Sequence, residues 1–265
     1  MHPLFSFARL GKLIAKQYYE HARMYVVAVL ALTGLLVVTF TLWIIFNGSS
    51  YHETEISVFY FTGLFIGGTI LASLSFNQLG QKDRAIYWLS FPATHLEKLI
   101  CTIFFTTLVF TVVYTFDFYI IRSLAVLFLQ EWSKTDTRIV FTRSNLSSAE
   151  SKLYIRYLFC IYLAVQALYL MGSVYFSRNS FLITTVVGVI FTVVCSMYVI
   201  QFKEVFSTGG WKLFSLTVFD PAGSGRYKEY ALPGIVEKPV TVAFQYAWAP
   251  IFWLVTWFRL KETEI

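Results

Sequence analysis

Residues 25–46 read YVVAVLALTGLLVVTFTLWIIF, without one charged side chain. The hydrocarbon core of a bilayer takes about 20 apolar residues of helix, so this run is long enough to cross one. It shows no period-2 alternation, and a barrel strand is only about ten residues long, so a helix is expected. Inside lipid such a helix satisfies its own backbone groups. The remainder of the 265-residue chain has the same character: 57% of residues are hydrophobic and 19% aromatic. Only 14% are charged, against about 25% in ordinary soluble domains. Mean hydropathy is +0.63. One soluble core of this size cannot hide so much apolar side chain, so the expected class is an all-α polytopic membrane protein.

Working outward from that run, comparable stretches fall at 57–76, 95–121, 153–176, 181–202 and 240–258, giving six expected spans in one transmembrane domain over 1–265. Arg9, Lys12, Lys16 and Arg23 precede the first span, while the loop 47–56 carries Glu53 and Glu55 and no Lys or Arg. Basic flanks stay on the cytoplasmic side, so the N-terminus is expected inside, and six crossings return the C-terminus there. No small-residue cleavage site follows a short apolar core, so residues 1–23 are not read as a signal peptide. Phe7, Leu10, Leu13 and Ile14 share one helical face and Arg9, Lys12 and Lys16 lie elsewhere, which predicts an interfacial helix within 1–23. The loop 203–239 carries Gly209-Gly210, Asp220-Pro221 and Gly223-Ser-Gly225 beside Trp211 and Phe214, turn chemistry mixed with aromatics that suit a membrane surface.

The net charge of +6 belongs to residues near span ends, where Lys and Arg meet anionic lipid headgroups. No basic stripe calls for nucleic acid. Cys101, Cys160 and Cys195 lie in apolar runs without metal-ligand spacing and read as small hydrophobes. The chain has no Gly-x-x-x-x-Gly-Lys-Ser/Thr, no His-Glu-x-x-His and no Gly-x-Ser-x-Gly, hence no expected nucleotide, zinc or serine-hydrolase site of its own.

Polar residues inside the spans are few. Asp117 and Arg122 are five positions apart, about 140° around a helix. They fit either a buried charge on a transport path or a wet pair near the outer headgroups, Arg122 snorkelling. Gln166 in the fourth span, with Thr102, Thr106 and Thr107 in the third, can line a cavity or tighten helix packing.

Between the second and third spans lies Gly80-Gln-Lys-Asp-Arg-Ala-Ile-Tyr-Trp-Leu-Ser-Phe-Pro-Ala-Thr-His-Leu-Glu-Lys-Leu99. A polar start and the apolar run Ala85–Leu89 suit a short helix at the membrane edge, which Pro92 stops by disfavouring helix at Phe91. Thr94-His-Leu-Glu97 is a capping box for the third span, and Glu97 complements that helix's positive end.

Leu89–Lys98 resembles the Leu-Pro-x-Ser/Thr-x-x-Glu-Lys segment of bacterial permeases in the type-2 ABC exporter family, which also lies between spans two and three. The tail from Trp257 to Ile265 is similar to the short Arg-Leu-Lys-Glu tails of those proteins. Phe91 stands where a further Leu is more usual, and the basic loop 130–152 has no counterpart in the pattern. The resemblance implies the membrane half of an exporter in the bacterial cytoplasmic membrane. A separate ABC ATPase would carry the ATP and dock on a cytoplasmic coupling helix through Lys82, Asp83, Arg84, Tyr87 and Trp88. A second permease subunit, identical or not, would complete the pathway, with no cofactor in this chain. Two other readings are weaker on the residues. A lipid-modifying membrane enzyme needs a polar cluster at one depth, and Asp117, His95 and Glu97 are expected at different depths. A membrane assembly protein without transport is the other.

Overall fold

The computed structural model describes residues 5–47, 50–77, 93–133, 140–142, 149–176, 179–205, 215–219, 227–231 and 234–262. Eight helices dominate them: α1 Phe7–Asn47, α2 Glu53–Leu74, α3 His95–Ile103, α4 Phe110–Ser133, α5 Ala149–Tyr175, α6 Ser180–Val205, α7 Gly234–Tyr246 and α8 Trp248–Glu262. A π-helical turn, Phe104–Val109, joins α3 to α4 without a break. Five stretches are long and apolar enough to cross a membrane: 7–46, 55–74, 95–131, 152–175 and 180–198. The chain is thus a helical protein of multi-pass membrane character.

The first span and the expected interfacial helix are one continuous helix of 41 residues, about 60 Å long at 1.5 Å per residue. His-Ala-Arg-Met at 21–24 contains no helix breaker, and Leu10, Leu13 and Ile14 gain partial burial alongside α3. Phe7, expected on the same face, is 82% exposed. The third apolar stretch also runs on past 121, to Ser133.

The sixth stretch, 240–258, is two helices of 13 and 15 residues, each below spanning length. Pro250 has no N–H to give the Tyr246 carbonyl, and the helix breaks at Ala247. Bonds from Ala247 N–H to the Ala243 carbonyl (2.8 Å) and from Ile251 N–H to the Ala247 carbonyl (3.0 Å) carry helical pairing through the break.

Two short strand pairs depart from the all-helical expectation. β1 (Ser50–His52) pairs in parallel with β2 (Val140–Thr142), and β3 (Ser215–Phe219) pairs antiparallel with β4 (Tyr227–Ala231). All four belong to connections on one end of the bundle, between α1 and α2, α4 and α5, and α6 and α7. The start of α3 and the end of α8 lie at the other end.

The core has two parts. Nearer the strand end, Leu36, Phe40 and Trp43 of α1 pack with Ile56 and Leu64 of α2, Tyr114 and Phe118 of α4, and Tyr162 of α5. At the opposite end, Ala72, Phe76, Leu99, Leu170, Val174 and Leu260 form a second cluster. α2 sits between α4 and α5 because its glycines admit close approach. A methyl on Gly63 would overlap the Tyr114 hydroxyl, and one on Gly68 would overlap the Gln166 amide. Gly63-x-x-x-Gly67 is the small-residue spacing that lets membrane helices pack closely.

Candidate functional site

Thr94 stands in extended backbone one residue before α3 and closes both halves of the capping box. Glu97 N–H donates to Thr94 Oγ1 at 3.3 Å, and Thr94 N–H donates to Glu97 Oε2 at 3.1 Å. These bonds satisfy two backbone donors that a helix start leaves open.

The other carboxylate oxygen of Glu97 leaves its own helix. Ser6 N–H donates to Oε1 at 2.7 Å, the Arg9 Nε at 3.2 Å, and Arg9 Nη2 lies 3.0 Å from the same atom. The Glu97 side chain is 0% exposed and Lys98 is buried beside it. One carboxylate therefore ties the start of α1 to the start of α3, across about ninety residues of sequence. Charge-assisted bonds of this kind are about twice as strong as neutral ones.

α1 then follows α3 and α4 in parallel. The Cys101 thiol donates to Gln17 Oε1 at 3.2 Å. Tyr25 stacks on Phe105 with ring centroids 5.6 Å apart. The Thr33 hydroxyl bonds Asp117, its oxygen 3.1 and 3.0 Å from the two carboxylate oxygens.

The π turn Phe104–Val109, which contains Phe105, lies between the Glu97 and Cys101 contacts below and the Asp117 contact above. Single π turns inside α-helices carry one extra residue per turn and cluster at functional sites. Thr102 and Thr106 return their hydroxyls to the carbonyls of Lys98 (2.9 Å) and Thr102 (2.8 Å), which bends and loosens a helix. Above it, Phe110 rests on Gly67 and Tyr114 on Gly63, whose neighbour Tyr60 accepts the Tyr114 hydroxyl at its carbonyl (3.0 Å). Helix α4 is pinned there, and α3 is pinned at Glu97.

The structure does not gather the other expected polar residues into one place. Gln166 is 1% exposed, and its Nε2 donates to the Tyr162 hydroxyl at 2.9 Å, which meets Thr111 at 3.1 Å. That node joins α4, α5 and α2. Asp117 is half-buried on the opposite flank, toward α1. Arg122 lies with its guanidinium 5.9 Å from the Tyr119 ring. Glu97 and Asp117 share one helix at twenty residues' separation, about 30 Å. Lys82, Asp83, Arg84, Tyr87 and Trp88 lie outside the described residues, as does about half of each of the loops 130–152 and 203–239.

Sequence reasoning found the cap at Thr94 and Glu97 but not its second partner, the Ser6–Arg9 turn. It also missed the π turn and the glycine contacts, although Gly63-x-x-x-Gly67 was visible as spacing. Comparison with protein-family models, with curated proteins and with solved structures finds no match for this chain.

Proposed function

We propose that this chain is the membrane-spanning permease subunit of an ATP-binding-cassette exporter, driven by a separate ATPase. The observation that carries the reading is the Glu97 clasp at the start of the third helix, which follows the 82–88 segment in the sequence. Work delivered at the start of α3 meets a capped, ion-paired helix end. The clasp shares the load with the N-terminal end of α1. The π turn above it supplies compliance, and the glycine contacts of Gly63 and Gly67 supply a fixed partner.

In this reading Lys82, Asp83, Arg84, Tyr87 and Trp88 form the docking elbow, with aromatics and Arg as the interface anchors. ATP-driven closure of the partner biases an inward- against an outward-open state. α7 and α8 together make a sixth crossing, kinked at Pro250, and both termini face the cytoplasm of a bacterial inner membrane. A second permease subunit covers part of the exposed apolar surface of α1 and α6.

Affinity purification from native membranes in mild detergent tests this, with recovery of an ABC ATPase as the expected result. Trp88→Ala combined with Arg84→Ala should release that ATPase while the chain remains inserted. Purification that repeatedly yields no ATPase, or association indifferent to the double substitution, counts against the assignment.

A further inference from the structure

The N-terminal part of α1 has two opposed faces. At about 100° per residue, Leu10, Leu13, Ile14, Gln17, His21 and Tyr25 fall within an arc of about 120°, and all are partly buried. Gln17 and Tyr25 make the contacts to Cys101 and Phe105 described above, so the rotation of the helix is fixed. Lys12, Lys16, Tyr19 and Arg23 fall within an arc of about 60° centred about 150° away. Lys12 and Arg23 are exposed, Tyr19 is 80% exposed, and Lys16 pairs with Glu20 at 3.9 Å. Arg9, engaged by Glu97, does not belong to this stripe.

The same face changes character just above Arg23. It continues as Val26, Val27, Leu30 and Val37, all exposed. An outward face that turns from basic and tyrosine-bearing to uncharged and mainly aliphatic marks the boundary of the hydrocarbon core.

We infer that Lys16, Tyr19 and Arg23, with Lys12 behind them, form a binding surface for anionic phospholipid headgroups of the adjoining leaflet. The lengths agree. The polar layer outside the hydrocarbon core is about 5–8 Å thick on each side. Along the axis Tyr19 lies about 6 Å and Lys16 about 10 Å from Arg23, and a lysine stem extends the reach of its ammonium. Lys12, about 16 Å away, stands roughly one Debye length beyond the layer and adds attraction without contact. Three cations face one carboxylate, Glu20, so the patch is net positive. The surface needs no ATPase and stands or falls independently of the exporter reading.

The test is local. A benzophenone side chain is placed at position 19 of the full-length protein, reconstituted in vesicles of phosphatidylcholine with a minor share of phosphatidylglycerol, and irradiated. Each basic residue near a surface is worth roughly a fivefold preference for anionic lipid. The adduct should therefore be enriched in phosphatidylglycerol at least about tenfold over its share of the bilayer. In Lys12→Gln/Lys16→Gln/Arg23→Gln the enrichment should vanish, while a short thiol crosslink from Gln17→Cys to Cys101 shows the helix still seated. Adducts that follow bilayer composition in the wild type, enrichment that survives the triple substitution, or capture of protein in place of lipid overturns the inference.

Discussion

Removing Leu108 should leave this protein folded, although deleting a residue from a membrane helix ordinarily ruins it. Leu108 lies in the π turn with its side chain 55% exposed. A π turn holds one residue more than an α turn, so its loss closes the turn to α-helix and keeps the phase between Glu97 below and Phe110 and Tyr114 above. Adding a residue there does the opposite. One inserted alanine after Leu108 rotates α3 by about 100° against α4. A carboxylate some 5–6 Å from the helix axis would swing about 8 Å, beyond reach of Ser6 N–H, Arg9 and their 2.7–3.2 Å bonds. A buried carboxylate stripped of its partners costs about 3–5 kcal/mol, whereas the deletion should cost about 1 kcal/mol or less, since α-helical bonds replace poorer π ones. The assay is a short bifunctional thiol crosslink between Gln17→Cys and native Cys101, in a chain with Cys160→Ala and Cys195→Ala. It should form at the wild-type rate in the deletion and fail in the insertion. Amide exchange over 104–109 should also slow in the deletion. If the deletion loses the crosslink or the insertion keeps it, the turn is not a one-residue slack and the hinge argument fails.

Glu97→Ala should destabilise the detergent-solubilised protein by about 2–3 kcal/mol through the lost cap and charged hydrogen bonds, and Arg9→Ala by less, because Ser6 N–H and Thr94 N–H still reach the carboxylate; denaturant unfolding would show a loss under about 1 kcal/mol if the clasp were incidental. Gly63→Ala should cost about 1–3 kcal/mol by overpacking against Tyr114, with part regained in Gly63→Ala/Tyr114→Phe, which removes the overlapping hydroxyl. Gly34→Ala and Gly188→Ala, with open space around the new methyl, should be neutral or stabilising by up to about 1 kcal/mol, and thermal unfolding of all four variants checks the contrast. Thr33→Val removes the donor to Asp117 and should cost about 1–2 kcal/mol; an equal loss in Thr39→Val, whose hydroxyl bonds only its own helix at Leu35, would deny Asp117 a role in joining α1 to α4.

What the sequence made legible is what depends on neighbours in the chain. Apolar length placed the crossings near 57–76 and 153–176, and Thr94-x-x-Glu97 gave the cap because both ends of a capping box lie within four residues. The bond from Glu97 to Ser6 and Arg9 carries no local signature, since a carboxylate at a helix start reads the same whether its second oxygen meets water or another helix. The π turn was hidden for a related reason. Phe-Phe-Thr-Thr-Leu-Val is unremarkable as α-helix, and the extra residue is demanded by two distant contact sets whose phases must both be met. Pro250 was visible, but hydropathy averages over a window and ignores one missing N–H, so 240–258 read as a single span. The continuity of α1 through residues 21–24 was missed because the change from basic to aliphatic surface looked like an end of structure, when it is a change of solvent along one rod.

These contacts sort the third helix by stiffness. Below Phe104 it is held by charge, through a buried carboxylate with donors from two elements. Above Val109 it is held by shape, with Tyr114 and Phe110 set against glycines that leave them no room to move. Breaking the first costs about 3–5 kcal/mol, and repacking the second about 1–3 kcal/mol for even a single clash. Exchanging a bond or two in the π turn between i→i+5 and i→i+4 pairing costs about 1 kcal/mol or less, because each backbone group keeps a partner and π geometry is the poorer of the two. A load applied at the start of α3 is therefore taken up first at residues 104–109, with α4 left in register on α2 and α1 held on both sides of the turn, by Glu97 below and Asp117 above. That order of yielding would reverse only if the glycine side were the softer one, and Gly67→Ala distinguishes the cases. It weakens the fixed side by crowding Phe110, and it should leave amide exchange in 104–109 unchanged if the turn already yields first.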